Sequence, residues 1–366
     1  MKILFCGSNL PDCFEGKVKH LSAAGNQFQN NLIHAMKSNH DVKTISYINY
    51  RVTYDRKEIL ECCEMENIEP VIKDKSQIES FLKFRKILKE NIKWADVVIV
   101  YNVLYAWFGV ADIMRRKRKK SVAIIADFTN WKEQKSFLRK IYALITIKEF
   151  QRYSKVVMLS PGVEKYLSKN QEKIVINGCI NWRKFEGIKP PVYDGIVNLV
   201  YTGGFSAVVG TDLMLQAFSQ IKDQNIRLYI SGQGGDQKDD VIKAAQNDSR
   251  IKYLGFLNRP DYYRLMESAH IFINPRNMNL EQNSANFPSK VLEYLAAGRS
   301  ILSTKFIGYE RYEKNMIFVE SDSESICKGM KLAIDMVRRD CTKYYNINRK
   351  FAKMLDWEMM AHEFCN

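Results

Sequence analysis

Short apolar runs rich in β-branched residues recur along this chain, and longer stretches with helical spacing separate them. Runs at 2–6, 43–48, 96–101, 121–126 and 156–159 predict strands. Helical patterns of ten or more residues lie between them, which marks parallel βαβ units. The pattern stops at 181–196, where Lys189-Pro190-Pro191 precedes the turn Tyr193-Asp194-Gly195. A second series then predicts strands at 197–202, 226–231, 251–254, 270–273 and 300–303. Its helices are predicted at 211–222, 238–247, 260–268, 289–297 and 323–338, followed by one helical stretch over 341–363. The expectation is an α/β protein with two doubly wound domains, 1–185 and 186–340. A C-terminal helix, 341–366, is expected to pack back on the first. In such sheets ligands bind beyond the carboxyl ends of the strands, where the topology switches.

The 366 residues suffice for two full cores. No apolar run approaches the ~20 residues of a membrane span, and Met1–Gly7 suits a buried strand better than a signal peptide. The eight cysteines show no metal or disulfide spacing, which favours a reducing, cytoplasmic compartment.

Charge changes the picture more. Residues 1–185 carry 33 Lys and Arg against 19 Asp and Glu, whereas 186–366 carries 23 against 22. An anionic partner is therefore expected on the first half. Arg115, Arg116, Lys117, Arg118, Lys119 and Lys120 form one run, and 135–155 mixes apolar and basic residues as an interfacial helix does. A peripheral site on the anionic inner face of a membrane fits this. A sheet-packed helix with a solvated outer face fits 135–155 as well. No nucleic-acid-binding module is recognisable, so nucleic acid is not an expected partner.

The densest chemistry lies in Asn286-Phe287-Pro288-Ser289-Lys290-Val291-Leu292-Glu293, which runs on to Gly298. Pro288 breaks the preceding structure, Ser289 suits an N-cap, and Gly298 suits a helix stop. A helix start offers free N–H groups and partial positive charge to a phosphate. Lys290 sits unfavourably beside that dipole unless an anion binds too. Glu293, one turn on, has the acceptor geometry for two ribose hydroxyls. The spacing alone equally suits an ordinary capped amphipathic helix.

This segment resembles the signature of the retaining glycosyltransferases of family 4, which have two Rossmann-like domains facing across a cleft (the GT-B fold). Their pattern is a Glu, seven residues, then a second Glu. Glu293 matches the second, which the resemblance assigns to the donor ribose; Ala285 stands where the first belongs. The glycine loop at Gly203 and Gly204 resembles the diphosphate loop, but Gly204 and Val209 replace its usual Arg and Lys. Arg276 and Lys290 are the cations expected to take over that clamp, with the N–H groups of Ser289, Lys290 and Val291. Gly232 falls in a turn like the one lining the donor site, and Phe256 in a loop like the one whose backbone meets the nucleobase. Gly25 and Asn26 resemble the acceptor loop. Asp127 stands where relatives carry a His, and is the candidate general base. Asn286 or Asn283 is the candidate replacement for the missing Glu.

The resemblance implies transfer of a sugar from a nucleotide-sugar to a hydroxyl of a lipid-linked or polysaccharide acceptor. It implies no metal or other cofactor, and a main catalytic task of stabilising the leaving diphosphate. A GT-B-like sugar-nucleotide epimerase and a catalytically silent binding subunit remain as alternatives.

Overall fold

The computed structural model describes residues 1–14, 23–48, 56–72 and 77–365. They form two compact units, Met1–Cys179 with Trp357–Asn366 and Ile180–Asp356.

The first unit contains β1 (Lys2–Gly7), β2 (Asp41–Ile48), β3 (Ile68–Ile72), β4 (Val97–Tyr101), β5 (Lys120–Ile125), β6 (Lys155–Met158) and β7 (Glu172–Val175). These seven strands are parallel in the order β3-β2-β1-β4-β5-β6-β7. The connecting helices are α1 (Ala23–Lys37), α2 (Arg56–Met65), α3 (Gln77–Trp94), α4 (Val110–Arg116) and α5 (Phe137–Phe150). Central strands such as Val97–Tyr101 are wholly buried, as expected of a parallel sheet covered on both faces.

The second unit contains β8 (Val197–Thr202), β9 (Ile226–Ser231), β10 (Ile251–Gly255), β11 (Ile271–Asn274), β12 (Ser300–Thr304) and β13 (Ile317–Val319). They are parallel in the order β10-β9-β8-β11-β12-β13. Its helices are α6 (Thr211–Ser219), α7 (Lys238–Asn247), α8 (Arg259–Ser268), α9 (Glu281–Ser284), α10 (Lys290–Ala297), α11 (Ser323–Arg339) and α12 (Tyr345–Lys353). The final helix, α13 (Trp357–Cys365), belongs to the first unit, where the rings of Trp357 and Phe364 pack 5.0 and 6.0 Å from Phe28 of α1.

Three strands lie outside the predicted set: β3, β7 and β13. Each is a sheet edge of three to five residues. Edge strands need no continuous apolar run, and β3 even tolerates Pro70 because one side of its backbone is unpaired. The helical stretch predicted over 341–363 divides into α12 and α13. At the break the Leu355 carbonyl accepts from Ile180 N–H at 2.9 Å, and the Asp356 carboxylate accepts from Trp182 N–H at 2.9 Å. The chain enters the second unit at Ile180, ahead of the proline-marked boundary. Tyr345 and Arg349 of α12 hold the carbonyls of Ile188 and Phe185 at 2.7 and 2.8 Å, so 180–189 is tied to this unit.

His270, just before β11, is 4 % exposed. Its Nδ1 accepts from Asn198 N–H at 3.0 Å, so Nε2 carries the proton and donates to the Val192 carbonyl at 3.0 Å. Burial is the main force holding its pKa below the ordinary imidazole value. The unfolded chain therefore binds the proton first as pH falls. Stability is fully present above about pH 6.5 and declines below it, with a slope limit of about 1.4 kcal/mol per pH unit for one proton. The melting temperature is expected to drop between pH 7.5 and 5.5 in wild type, and less steeply in His270→Gln. Equal slopes would remove His270 from this role.

Candidate functional site

The second sheet switches direction between β8 and β11: the chain runs outward through β9 and β10, then returns to β11 beside β8. The loops leaving the carboxyl ends of these strands meet backbone against backbone. A Cβ on Gly210 (φ +75°) would lie 1.8 Å from the Pro275 carbonyl oxygen, and one on Gly232 would lie 1.7 Å from that of Gly203. Only glycine permits these approaches. Gly203 donates its N–H to Ser231 O at 3.0 Å, Gly204 is exposed, and Tyr201 Oη donates to the Gly204 carbonyl at 2.6 Å. The expected diphosphate loop is thus an accessible turn beside the switch point.

Arg276 leaves the end of β11 in a loop that is firmly held. Asn283, 2 % exposed, donates both amide hydrogens, to Val208 O at 2.7 Å and Asn277 O at 2.8 Å. Thr304 Oγ1 donates to the Arg276 carbonyl at 2.7 Å. The guanidinium itself has little: Nη1 donates to Asn286 O at 3.3 Å, and no carboxylate lies within ion-pair distance among the described residues. Burial holds its pKa below the usual arginine value, with the nearby Tyr201 phenol opposing that shift. A desolvated cation without an anion is costly unless a ligand supplies one.

α10 begins beside it. Ser289 lies in helical backbone (φ −54°, ψ −25°) and makes no side-chain cap, contrary to the expected N-cap. The reason is a tight first turn: Val291 N–H reaches Pro288 O at 3.0 Å and Leu292 N–H reaches Ser289 O at 3.1 Å. The Val291 N–H is therefore engaged and not free for a phosphate. The N–H groups of Ser289 and Lys290 have no acceptor among the described residues, and the helix dipole points at them. Gly298 ends the helix in left-handed backbone (φ 70°), as predicted.

Glu293 is half-buried. Its Oε2 accepts from Tyr262 Oη of α8 and lies 3.3 Å from Lys290 Nζ. Lys290 Nζ also stands 3.4 Å from Tyr262 Oη and 5.0 Å from the centre of its ring. Burial first, then the Glu293 carboxylate, raise the Tyr262 phenol well above its ordinary value. Tyr262 carries no signal in the sequence: it is one tyrosine in the helix Arg259–Ser268, brought to Glu293 only by packing of α8 against α10.

The proposed substitutes for the missing Glu separate. Ala285 is buried. Asn283 is locked into the loop, and its amide hydrogens are engaged. Asn286 donates to Gln282 O at 2.9 Å while its carbonyl holds Arg276. Phe256 follows Gly255 of β10 and is 69 % exposed.

The remaining candidates lie on the first unit. Asp127 is exposed beyond β5, and Asn102 Oδ1 accepts from its N–H at 3.2 Å. It caps no helix; Asn130 caps the following turn instead. Gly25 and Asn26 lie within α1, which starts at Ala23. Asn26 is 2 % exposed, with its amide closed on both backbone groups of Leu10 at 2.7 and 3.0 Å. It shapes the loop after β1. Of the polybasic run, Arg115–Arg118 and Lys120 are exposed, and Lys119 is tied to the carbonyls of Lys93 and Ala95. No helix among the described residues is long and apolar enough to cross a membrane.

The family described as "Glycosyl transferases group 1" matches residues 197–335, which span the second sheet and α10. No curated protein matches the chain. Among solved structures, Anabaena Alr3699/HepE in complex with UDP is similar at 14 % identity and TM-score 0.72, covering 100 % of this chain and 98 % of that one. The lipopolysaccharide outer core galactosyltransferase WaaB is similar at 14 % identity and TM-score 0.68, with the same coverage. A Listeria monocytogenes protein described as a UDP-N-acetylglucosamine 2-epimerase by assignment only is also similar, at 11 % identity and TM-score 0.59, covering 99 % of this chain and 94 % of that one. The chain as a whole thus has the fold of GT-B glycosyltransferases, and its second unit matches a glycosyltransferase family.

Proposed function

We propose that this protein transfers a sugar from a nucleotide-sugar to a hydroxyl of a lipid-linked or polysaccharide acceptor, with retention of anomeric configuration, as in family 4. The observation that carries the reading is Arg276: a partly buried guanidinium without a carboxylate among the described residues, beside a helix start with two free N–H groups. That combination suits a diphosphate. Glu293 then takes the ribose hydroxyls, exchanging Tyr262 and Lys290 for the ligand. Stabilising the departing diphosphate lowers the barrier electrostatically, without an enzymic nucleophile. The UDP and UDP-glucose held by the Anabaena relative support a uridine diphosphate sugar as the first donor to test. The exposed run at 115–120 supports an acceptor at an anionic membrane face.

The test is a panel of uridine, guanosine, adenosine and thymidine diphosphate sugars scored by thermal shift. A ligand at 100 times its Kd stabilises the fold by about 2.7 kcal/mol. At least one sugar nucleotide is expected to raise the melting temperature, and turnover with an acceptor extract should release the nucleoside diphosphate with the product anomer unchanged by NMR. No shift with any donor overturns the reading. A shift without transfer favours a silent binding subunit, and isomerised free sugar nucleotide favours an epimerase.

A further inference from the structure

Among the described residues, 19 large apolar side chains are exposed, and six of them fall within nine residues of α5: Phe137, Leu138, Ile141, Tyr142, Leu144 and Ile145. Phe137 and Leu138 are 74 and 75 % exposed, and no residue of α5 before Ala143 is buried. The buried residues of the helix are Ala143, Ile147, Glu149 and Phe150, all from its middle onward. A helix covering a sheet normally turns its polar side outward; this one turns an apolar side outward. The patch continues onto Phe108, whose ring lies 6.1 Å from that of Tyr142. In sequence, Lys132, Lys135, Arg139, Lys140 and Lys148 lie in this helix or just before it. Glu149 adds no outward charge: it is buried, accepting from Gly109 N–H at 3.0 Å and pairing with Arg152 at 2.7 Å.

We propose that the first half of α5 inserts into the interfacial layer of an anionic bilayer. The charge decides the occupant: an exposed apolar face interleaved in sequence with cations matches acyl chains beneath anionic headgroups. At 14 residues the helix is about 21 Å long, too short to span a bilayer but suited to lying in one. The inference refines the membrane part of the reading above and is separate from its donor chemistry. It also differs from docking by the polybasic run, which links α4 to the amino end of β5. The segment leading into α5 leaves the carboxyl end of β5, the opposite edge of the sheet.

Phe137→Trp, probed with vesicles of phosphatidylglycerol and phosphatidylcholine, tests it. The protein is expected to float with the vesicles, and its emission to shift blue and be quenched by brominated lipid. Part of the binding should survive about 0.5 M salt, where screening is nearly complete. Leu138→Ser should weaken partitioning at least tenfold with the melting temperature unchanged. Flotation with no blue shift, abolished by salt, overturns α5 insertion and leaves the polybasic run as the dock. Absence of flotation overturns both, while the thermal-shift panel still reports on the donor site. A blue shift in buffer that grows with protein concentration, with a dimer in sedimentation, overturns it in favour of a second copy of the chain.

Discussion

Arg276→Ala is expected to weaken nucleoside diphosphate binding by about 30- to 3,000-fold. Removing one partner of a buried, hydrogen-bonded charge pair costs about 2–5 kcal/mol, and each 1.4 kcal/mol is tenfold in affinity. Much of that cost is the phosphate charge left without its partner in a desolvated place. The free protein should respond in the opposite direction. Its Arg276 holds one 3.3 Å hydrogen bond to Asn286 O and suffers desolvation without an ion pair. Alanine there relieves a partly buried cation, so the melting temperature without ligand should stay level or rise. Isothermal calorimetry with UDP and a ligand-free melt on the same variant separate the two effects. Unchanged affinity would falsify the assignment of Arg276 to the diphosphate. A large loss of stability in the free protein would make the residue a structural anchor of its loop. Arg276→Lys should recover only part of the affinity, because an ammonium supplies charge without the planar fork.

The sequence reaches the fold and the positions of its central strands along the chain, because parallel strands buried on both faces leave apolar runs. It does not reach β3, β7 or β13, whose pairing comes from neighbours and not from their own hydrophobicity. Of the candidate site, the parts legible in advance are those with backbone causes: the glycine turns, the helix start after Pro288, and the stop at Gly298. Side-chain roles are less legible. Ser289 has the right chemistry for a cap but lies inside the helical turn. Asn26 and Asn283 have side chains suited to meeting a ligand, yet each has its amide closed on backbone carbonyls. Tyr262 is the reverse case. Its contact with Glu293 spans 31 residues and depends on how α8 meets α10, which no local pattern encodes.

Glu293→Gln separates the ribose from the diphosphate. In the free protein the carboxylate lies between the Tyr262 hydroxyl and the Lys290 ammonium. Binding of a donor exchanges at least one of these partners for ribose hydroxyls, which need an acceptor. Glutamine keeps the shape but loses the charge and one acceptor oxygen, and hydrogen bonds to a charged group contribute about 1.5–3 kcal/mol. UDP affinity should therefore fall by about 10- to 150-fold. Inorganic pyrophosphate, which has no ribose, should bind the variant within a few-fold of wild type, whereas Arg276→Ala should lose both ligands together. Lys290→Ala should lie between these, since its ammonium is held by Glu293 and Tyr262 and must turn to reach a phosphate. Equal losses of UDP and pyrophosphate in Glu293→Gln would mean that the carboxylate acts by holding Lys290, and the ribose contact would have to be sought elsewhere on the loops around Phe256.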